Sequence, residues 1–515
     1  MKTTKTRREK GFAIVMTTLA LFSTMLIAGL GFDVGTLYLI RTKLQGAMDA
    51  AALATVRSLA QSPSVNTAKT VGTVYLVANF PNGYWGAQTM AAMPLNNAIT
   101  ISEIDANGNP GSAGTTATAK LVTVTAGVTA PLYFLRMLGQ QTTNISFTSY
   151  ATRQGLLVML VLDGSGSMTF TTFNGHTPCY WAQTDAQAFL GYPQFDPDID
   201  RIGAVAFGGN TYTSAPVANF QSPAGTLNTT SQVYTDLGTF DSNCGGNTNT
   251  VEGLQQAYNA INTFWAGATP SRANVIVLMT DGAPNGFTAN WATAPLAAGS
   301  TCGPPAPGGN LTGYVARQTP TETGIFNVAP TPGTKMAMQG IGTLGIIPDN
   351  GNCKFHTSGN SYFYQDFTNV PPTDVYGDAL YGVSTYQSTV SSAMPTAASP
   401  GSTSTTPPIG DSSTTTEWQF VNLSRNAADG AATRLRTDRT YRIAIYCIGL
   451  YGNVAMTDPY DAVDDTLLNR VANTPASPIY DPTQPVGAYF TVPDASQLAQ
   501  AFSQVASAIV ARLSK

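Results

Sequence analysis

Charge is what this sequence has least of. Asp, Glu, Lys and Arg together fill only 10% of its 515 positions, less than half of the roughly 25% usual in soluble domains. Hydrophobic residues still make up 43%, so the chain is not a solvated disordered polymer, and its length allows two to four domains with sizeable cores. Glycine and proline, 49 and 32 residues, fall short of the roughly 25–30% share of low-complexity chains. Histidine is nearly missing, with His176 and His356 alone, and five cysteines in such a length exclude a disulfide scaffold. Those seven side chains are not in paired zinc-ligand spacing, since Cys353 and His356 have no second pair. A pI near 5.2 leaves no general footprint for nucleic acid.

The scarce charge is unevenly placed. Lys2, Lys5, Arg7, Arg8 and Lys10 face a single acid, Glu9, within a basic stub at 1–10. Residues 11–32 then run for 22 positions without a charge, long enough at about 1.5 Å per residue to cross a hydrocarbon core of about 30 Å. Basic residues stay on the cytoplasmic side, so the stub is expected inside and the chain beyond Asp33 outside. An uncleaved anchor, cleavage as an ordinary secretory signal and prepilin-type processing at Gly11-Phe12 all deliver the bulk of the chain outside. The apolar run is longer than a signal core, no A-x-A-like site follows, and Met16 stands where pilins carry an acid.

Leu37, Ile40, Leu44, Ala47 and Ala51 continue a helical spacing past the apolar run, which predicts one helix reaching about Leu59. Gly31 and Gly35, four apart, would allow another helix to approach closely. The stretch RREKGFAIVMTTLALFSTMLIAGLGFDVGTLYLIRTKLQGAMDAAALATVRSLA resembles the TadE/TadG-like proteins of the bacterial tight-adherence, or Flp pilus, system. The resemblance implies a pilus-assembly or surface-export role at the bacterial inner membrane. It makes 33–65 the extended helix of that region. Residues 66–153 read as a small β-rich domain packed on a helix, with strands over 98–104, 116–128 and 143–151. Asp105, Asn107 and Asn109 are read as a plain turn, because no acid closes a calcium loop at the right distance.

From 154 to 515 the pattern becomes α/β. Leu156 to Leu162 is a continuous apolar run that predicts a strand buried on both faces, as do Ile202–Phe207, Val275–Met279 and Tyr441–Leu450. Helical stretches at 250–264, 417–434, 466–471 and 495–513 alternate with them, which argues for a doubly wound sheet with ligands at the carboxyl ends of its strands. The first strand ends in Asp163-Gly-Ser165-Gly-Ser167, and a later one in Thr280-Asp281. Asp-x-Ser-x-Ser places alternate hard oxygens on one side of a loop. With a further hydroxyl from Thr248 and the carboxylate of Asp281, the set suits Mg2+, which takes oxygen ligands in near-octahedral array and few carboxylates.

This constellation resembles the metal-ion-dependent adhesion site of von Willebrand factor A (vWA) domains. Asp163, Ser165, Ser167, Thr248 in Gly245-Gly-Asn-Thr-Asn-Thr250, and Asp281 match the motif in order. The resemblance implies a divalent ion, Mg2+ or else Ca2+ or Mn2+, with an open position for an acidic group of a protein ligand. Asn247 separates Thr248 from the paired glycines, which leaves Thr250 as the fallback. No enzymatic activity is expected, because Ser165 and Ser167 lack the G-x-S-x-G elbow and neither histidine has a recognisable triad context. Asp196-Pro-Asp198-Ile-Asp200 is read as a solvated acidic loop.

Cys447 falls in a buried-strand pattern and reads as a free apolar residue. Of the three ways to pair the other four cysteines, Cys179 with Cys244 and Cys302 with Cys353 is favoured; the first would brace the loops beside the metal site. A loop-rich insertion at about 285–415, with an aromatic cluster at Tyr362, Phe363, Tyr364 and Phe367, is the expected partner-selective surface. The function expected is a membrane-anchored pilus-assembly or adhesion protein that binds an acidic residue through a metal. The alternative is a structural Tad-type anchor or minor pilus component, in contact with other pilus components, whose vWA domain serves assembly alone.

Overall fold

The computed structural model describes residues 6–61, 64–111, 117–222, 225–266, 268–291, 311–316, 325–326, 371–380, 415–451 and 462–513. They fall into two compact units, one ending at Arg153 and the other running from Gln154 to Arg512 with residues 117 and 118 added.

In the first unit a single helix, α1 (Thr6–Gln61), carries the apolar run and continues without interruption, as its spacing predicts. The helix is long and apolar enough to cross a membrane. Ile40, Leu44, Ala47 and Ala51 are buried, so the face that recurs at three- and four-residue spacing is the face that packs. Val65–Asn79 forms α2, capped by Ser64, whose hydroxyl accepts the Thr67 N–H. The start of the stretch expected to be β-rich is therefore helical. Its Val and Thr content suggests strand, but Ala68, Gly72 and Leu76 recur at a helical interval and are the buried positions. The strands β1 (Gln88–Thr89), β2 (Ile99–Ile104), β3 (Ala119–Pro131) and β4 (Thr142–Gln154) follow. All pair with the long central β3. Val122, Val124, Ala126 and Val128 of β3 meet α1 and α2 in one core. Asp105 accepts the N–H groups of Asn107 and Asn109 on Oδ1, the geometry of a plain turn.

The second unit is built on a sheet. Its strands are β5 (Leu156–Asp163), β6 (Arg201–Phe207), β7 (Thr211–Val217) and β8 (Ala273–Thr280), with β9 (Gly286–Trp291), β10 (Leu311–Ala316) and β11 (Ile325–Phe326) in a separate antiparallel set, and then β12 (Ala444–Leu450) and β13 (Tyr489–Val492). The main sheet runs β13-β12-β8-β5-β6-β7. All its neighbours pair in parallel except the edge strand β7. Every residue of β5 is buried, which is the arrangement its unbroken apolar run requires, since helices cover both faces.

Those helices are α3 (Pro178–Leu190), α4 (Gln232–Leu237), α5 (Thr250–Phe264), α6 (Thr415–Thr437), α7 (Asp465–Val471) and α8 (Leu498–Leu513). Leu157, Met159 and Val161 of β5 share a core with Leu254 and Ile261 of α5 and with Ala427 and Ala431 of α6. On the other side α3 meets α8, with the Phe189 and Phe502 rings 5.6 Å apart. Helix α3 was not among the expected elements, although Thr177 caps it and Pro178 occupies its first turn.

The Asp196–Asp200 segment is not the solvated loop its charges suggest. Asp196 and Asp200 are fully buried. Asp200 accepts the Leu156 N–H at 2.9 Å and the Asp196 N–H at 2.7 Å, so its carboxylate ties the starts of β5 and β6 together. Within the expected insertion, Phe287 and Ala289 of β9 and Leu380 belong to the main core. The insertion therefore leaves the core later than 285. The aromatic cluster at 362–367 lies outside the described residues.

Candidate metal centre

The site is assembled by sheet register. Leu162 of β5 is level with Met279 of β8, so the next residues, Asp163 and Thr280, end their strands side by side. Strand β5 sends its crossover to β6 on one side and has β8 on the other, which makes the end of β5 a topological switch point. Asp163 accepts the Ser165 N–H on Oδ1 at 2.9 Å and the Thr280 hydroxyl on Oδ2 at 2.5 Å. The Ser165 and Ser167 hydroxyls are 2.9 Å apart, and Ser167 donates to Asp281 Oδ1 at 2.7 Å. Four of the five expected ligands thus form one continuous polar chain.

Thr248 comes from the loop before α5. Two backbone bonds hold that loop against Asp163–Ser167: Gly245 N–H donates to Gly164 O at 2.7 Å, and Gly166 N–H to Gly246 O at 2.9 Å. Gly246 has φ +88°, a left-handed conformation that favours glycine at this approach. Thr248 and Asn285 clasp each other, the Thr248 N–H donating to Asn285 Oδ1 at 2.8 Å and the Asn285 N–H to Thr248 O at 3.0 Å. Thr248 is 4% exposed. Thr250, the fallback ligand, is the first residue of α5 instead, and its buried hydroxyl has no hydrogen-bond partner. The fifth expected ligand is thus joined to the other four through the backbone of its loop.

Burial raises the Asp163 pKa to about 6, against the opposing pull of the Thr280 hydroxyl, the Ser165 N–H and hydroxyl and the Asp281 N–H. All of these partners are neutral. A buried carboxylate with neutral partners, beside hydroxyls whose lone pairs can turn toward an ion, fits a hard divalent cation held by oxygen. Among the described residues no three His, Cys, Asp or Glu side chains cluster into a metal cage. A donor set at this place would rest on the hydroxyls of Ser165 and Ser167 between the carboxylates of Asp163 and Asp281.

A family model for the von Willebrand factor type A domain matches residues 158–299. This chain carries a VWA domain. The Flp pilus-assembly TadE/G-like model, Tad, matches residues 11–58, the exposed and then packed length of α1. No curated protein matches the chain. Among solved structures, the pilus adhesin SpaC from Lactobacillus rhamnosus GG is similar at 14% identity, with 83% of this chain and 36% of SpaC covered and a TM-score of 0.34. The chain thus spans about a third of SpaC. The vWF domain of the type V pili tip protein Mfa5 from Porphyromonas gingivalis matches at 15% identity over 70% of this chain and 96% of that one, TM-score 0.33. The PilB minor pilin from Streptococcus sanguinis matches at 12% over 81% and 79%, TM-score 0.35.

Cys179 and Cys244 are joined in a disulfide, with Cα atoms 6.6 Å apart. It pins α3 to the residue just before Gly245, so it braces the loop that brings Thr248 to the VWA site. Cys447 is free and buried, and burial pushes its thiol pKa up. Cys302 and Cys353 lie outside the described residues. His176 stacks on Tyr180 at 3.8 Å in the loop before α3, and His356 is outside the described residues. Sequence reasoning missed Thr280 and Asn285, which hold Asp163 and Thr248 in place. Thr280 precedes Asp281 at a strand end, a signal that was legible; Asn285 carries none, because its role exists only once two loops meet.

Proposed function

We propose that the chain is a membrane-anchored, pilus-associated binding protein whose VWA domain engages an acidic residue of a protein partner through a divalent cation. The observation that carries this reading is the polar chain from Asp163 through Ser165 and Ser167 to Asp281, closed by neutral donors. Asp163, Ser165, Ser167, Thr248 and Asp281 would hold the ion, Mg2+ by preference and Ca2+ or Mn2+ otherwise. Bound there, the ion would offer a Lewis-acidic position to a partner's Asp or Glu. Thr280 orients Asp163, and the Asn285 clasp fixes the Thr248 loop. We place the chain in the bacterial inner membrane by a single pass of α1, with the basic stub in the cytoplasm and the bulk in the periplasm or outside.

The TadE/G-like match favours a second reading, in which the chain is a structural anchor or minor pilus component and the VWA domain mediates assembly with other pilus components only. Magnesium titration calorimetry on the folded chain, followed by pull-down of pilus subunits in Mg2+ or EDTA, separates the two. Under the leading reading, Asp163→Ala and Asp281→Ala each weaken Mg2+ binding by tenfold or more and abolish Mg2+-dependent capture. Variants that retain both partner binding and adherence would sink the adhesion-site mechanism.

A further inference from the structure

The membrane-facing end of the first unit holds a loop that the proposed function does not use. Asp33 is the first charge after the apolar run, yet its side chain is fully buried. It accepts three consecutive backbone N–H groups: Tyr133 at 2.8 Å on Oδ1, Leu135 at 2.8 Å on Oδ2, and Phe134 shared between the two oxygens at 3.2 and 3.0 Å. Phe32 meets the Tyr133 and Phe134 rings edge-on at 5.7 and 5.8 Å. At Gly29 a Cβ atom would lie 2.5 Å from the Phe134 ring, so only glycine admits the ring there. The segment Leu132–Gly139 is therefore clamped to helix positions 29, 32 and 33. Those positions span about 6 Å of helix, which puts the loop alongside the last turn of the uncharged run.

What the loop presents outward is apolar. Met137 is 74% exposed and Leu138 67%, with Tyr133, Phe134 and Arg136 also exposed. We propose that this loop is a second membrane contact, seated in the interfacial zone of the leaflet from which α1 emerges. Aromatic rings, long apolar side chains and one arginine form the mixture that settles where acyl chains meet headgroups: rings at headgroup level, apolar tips below, and the guanidinium on a phosphate. A lipid surface is favoured as the occupant because the loop is continuous with the exposed apolar face of α1, where Leu21, Phe22, Met25 and Ile27 are also uncovered among the described residues. One spanning helix is free to slide and tilt, and a side contact clamped through Asp33 fixes its depth.

The inference rests on reading residues 11–32 as a membrane span, and the test separates the two. The full chain is reconstituted in vesicles of phosphatidylethanolamine and phosphatidylglycerol, with a diazirine amino acid placed singly at Leu21, Leu138 or Tyr150. Tyr150 is also exposed, but its neighbour Ser149 bonds Asp49, about 24 Å farther along α1 than Asp33. After photolysis, mass spectrometry is expected to find phospholipid adducts at 21 and 138, with the yield at 138 at least several-fold above that at 150. Adducts at 21 with 138 no higher than 150 overturn the loop contact and leave the span standing. No adducts at 21 overturn both.

Discussion

Breaking the Cys179–Cys244 disulfide tests how the candidate metal site is held together. The bond closes a loop of 65 residues in sequence. In the chain-entropy account a loop of that size restricts the unfolded state by about 4 kcal/mol. Domains of 150–250 residues lose roughly 2–4 °C of Tm per kcal/mol, so opening the bond should lower the VWA transition by on the order of 10 °C. A second effect is local. Cys244 directly precedes Gly245, whose N–H grips Gly164, so release of the tether loosens the loop that carries Thr248. The Asp163–Ser165–Ser167–Asp281 chain does not depend on that tether and should persist. Reduction of the wild-type chain and a Cys179→Ala/Cys244→Ala double variant are to be compared by calorimetric unfolding and Mg2+ titration. Both should lose stability, and both should bind Mg2+ more weakly without losing it altogether. An unchanged transition in both preparations would refute the bracing argument. A lower Tm with unchanged Mg2+ affinity would refute its local half and leave Thr248 outside the ligand set.

Asp33→Ala removes the acceptor for three backbone N–H groups, and the loss should be about 1–3 kcal/mol. Proteolysis in detergent should then cut near 133–138 first, whereas equal resistance of variant and parent would show that the clamp contributes little. Asp374 offers a pH test: burial, with the nearby Asp378 carboxylate adding to it, raises its pKa to about 7. Its folded pKa lies above the unfolded value, so the protonated fold loses nothing below about pH 4, and stability falls as the pH rises from there to about 7. The full cost is of order 4 kcal/mol. Asp374→Asn keeps an acceptor for the Tyr376 and Asp378 N–H groups. It should therefore gain stability relative to the parent between pH 4 and pH 8 in denaturant unfolding; a pH-independent difference would refute the assignment.

Much of the architecture was legible because it is written in periodicity. The β5 run and the strands ending at Phe207 and Thr280 are apolar at nearly every position, which parallel strands covered on both faces demand. Helix α1 shows its packing face as Leu37, Ile40, Leu44 and Ala47. The apolar runs that lead into Asp163 and Asp281 mark both acids as strand-end residues, where a doubly wound sheet binds its ligands. What escaped was whatever depends on a partner far away in sequence. Nothing local marks Asp200 as buried, since the reason is the Leu156 N–H of another strand. Helix α2 was obscured by β-branched residues, and the helical spacing of Ala68, Gly72 and Leu76 becomes decisive only when α1 and β3 supply something to pack against.

Buried acids occur in both units, and their donors tell them apart. Asp33 is surrounded by backbone N–H groups, and Asp200 likewise receives N–H groups on both oxygens. An N–H has no lone pair to offer an ion once its hydrogen is given, so such a nest holds the carboxylate without adding further oxygen ligands beside it. Around Asp163 and Asp281 the donors include the hydroxyls of Ser165, Ser167 and Thr280. A hydroxyl can rotate its hydrogen away and turn a lone pair toward an ion, which converts a hydrogen-bond chain into a ligand set without moving heavy atoms far. The same residue type thus serves as a structural tie at Asp33 and Asp200 and as a candidate ligand at Asp163 and Asp281. In a chain so poor in charge, the presence of hydroxyl neighbours, more than burial itself, points to the second role.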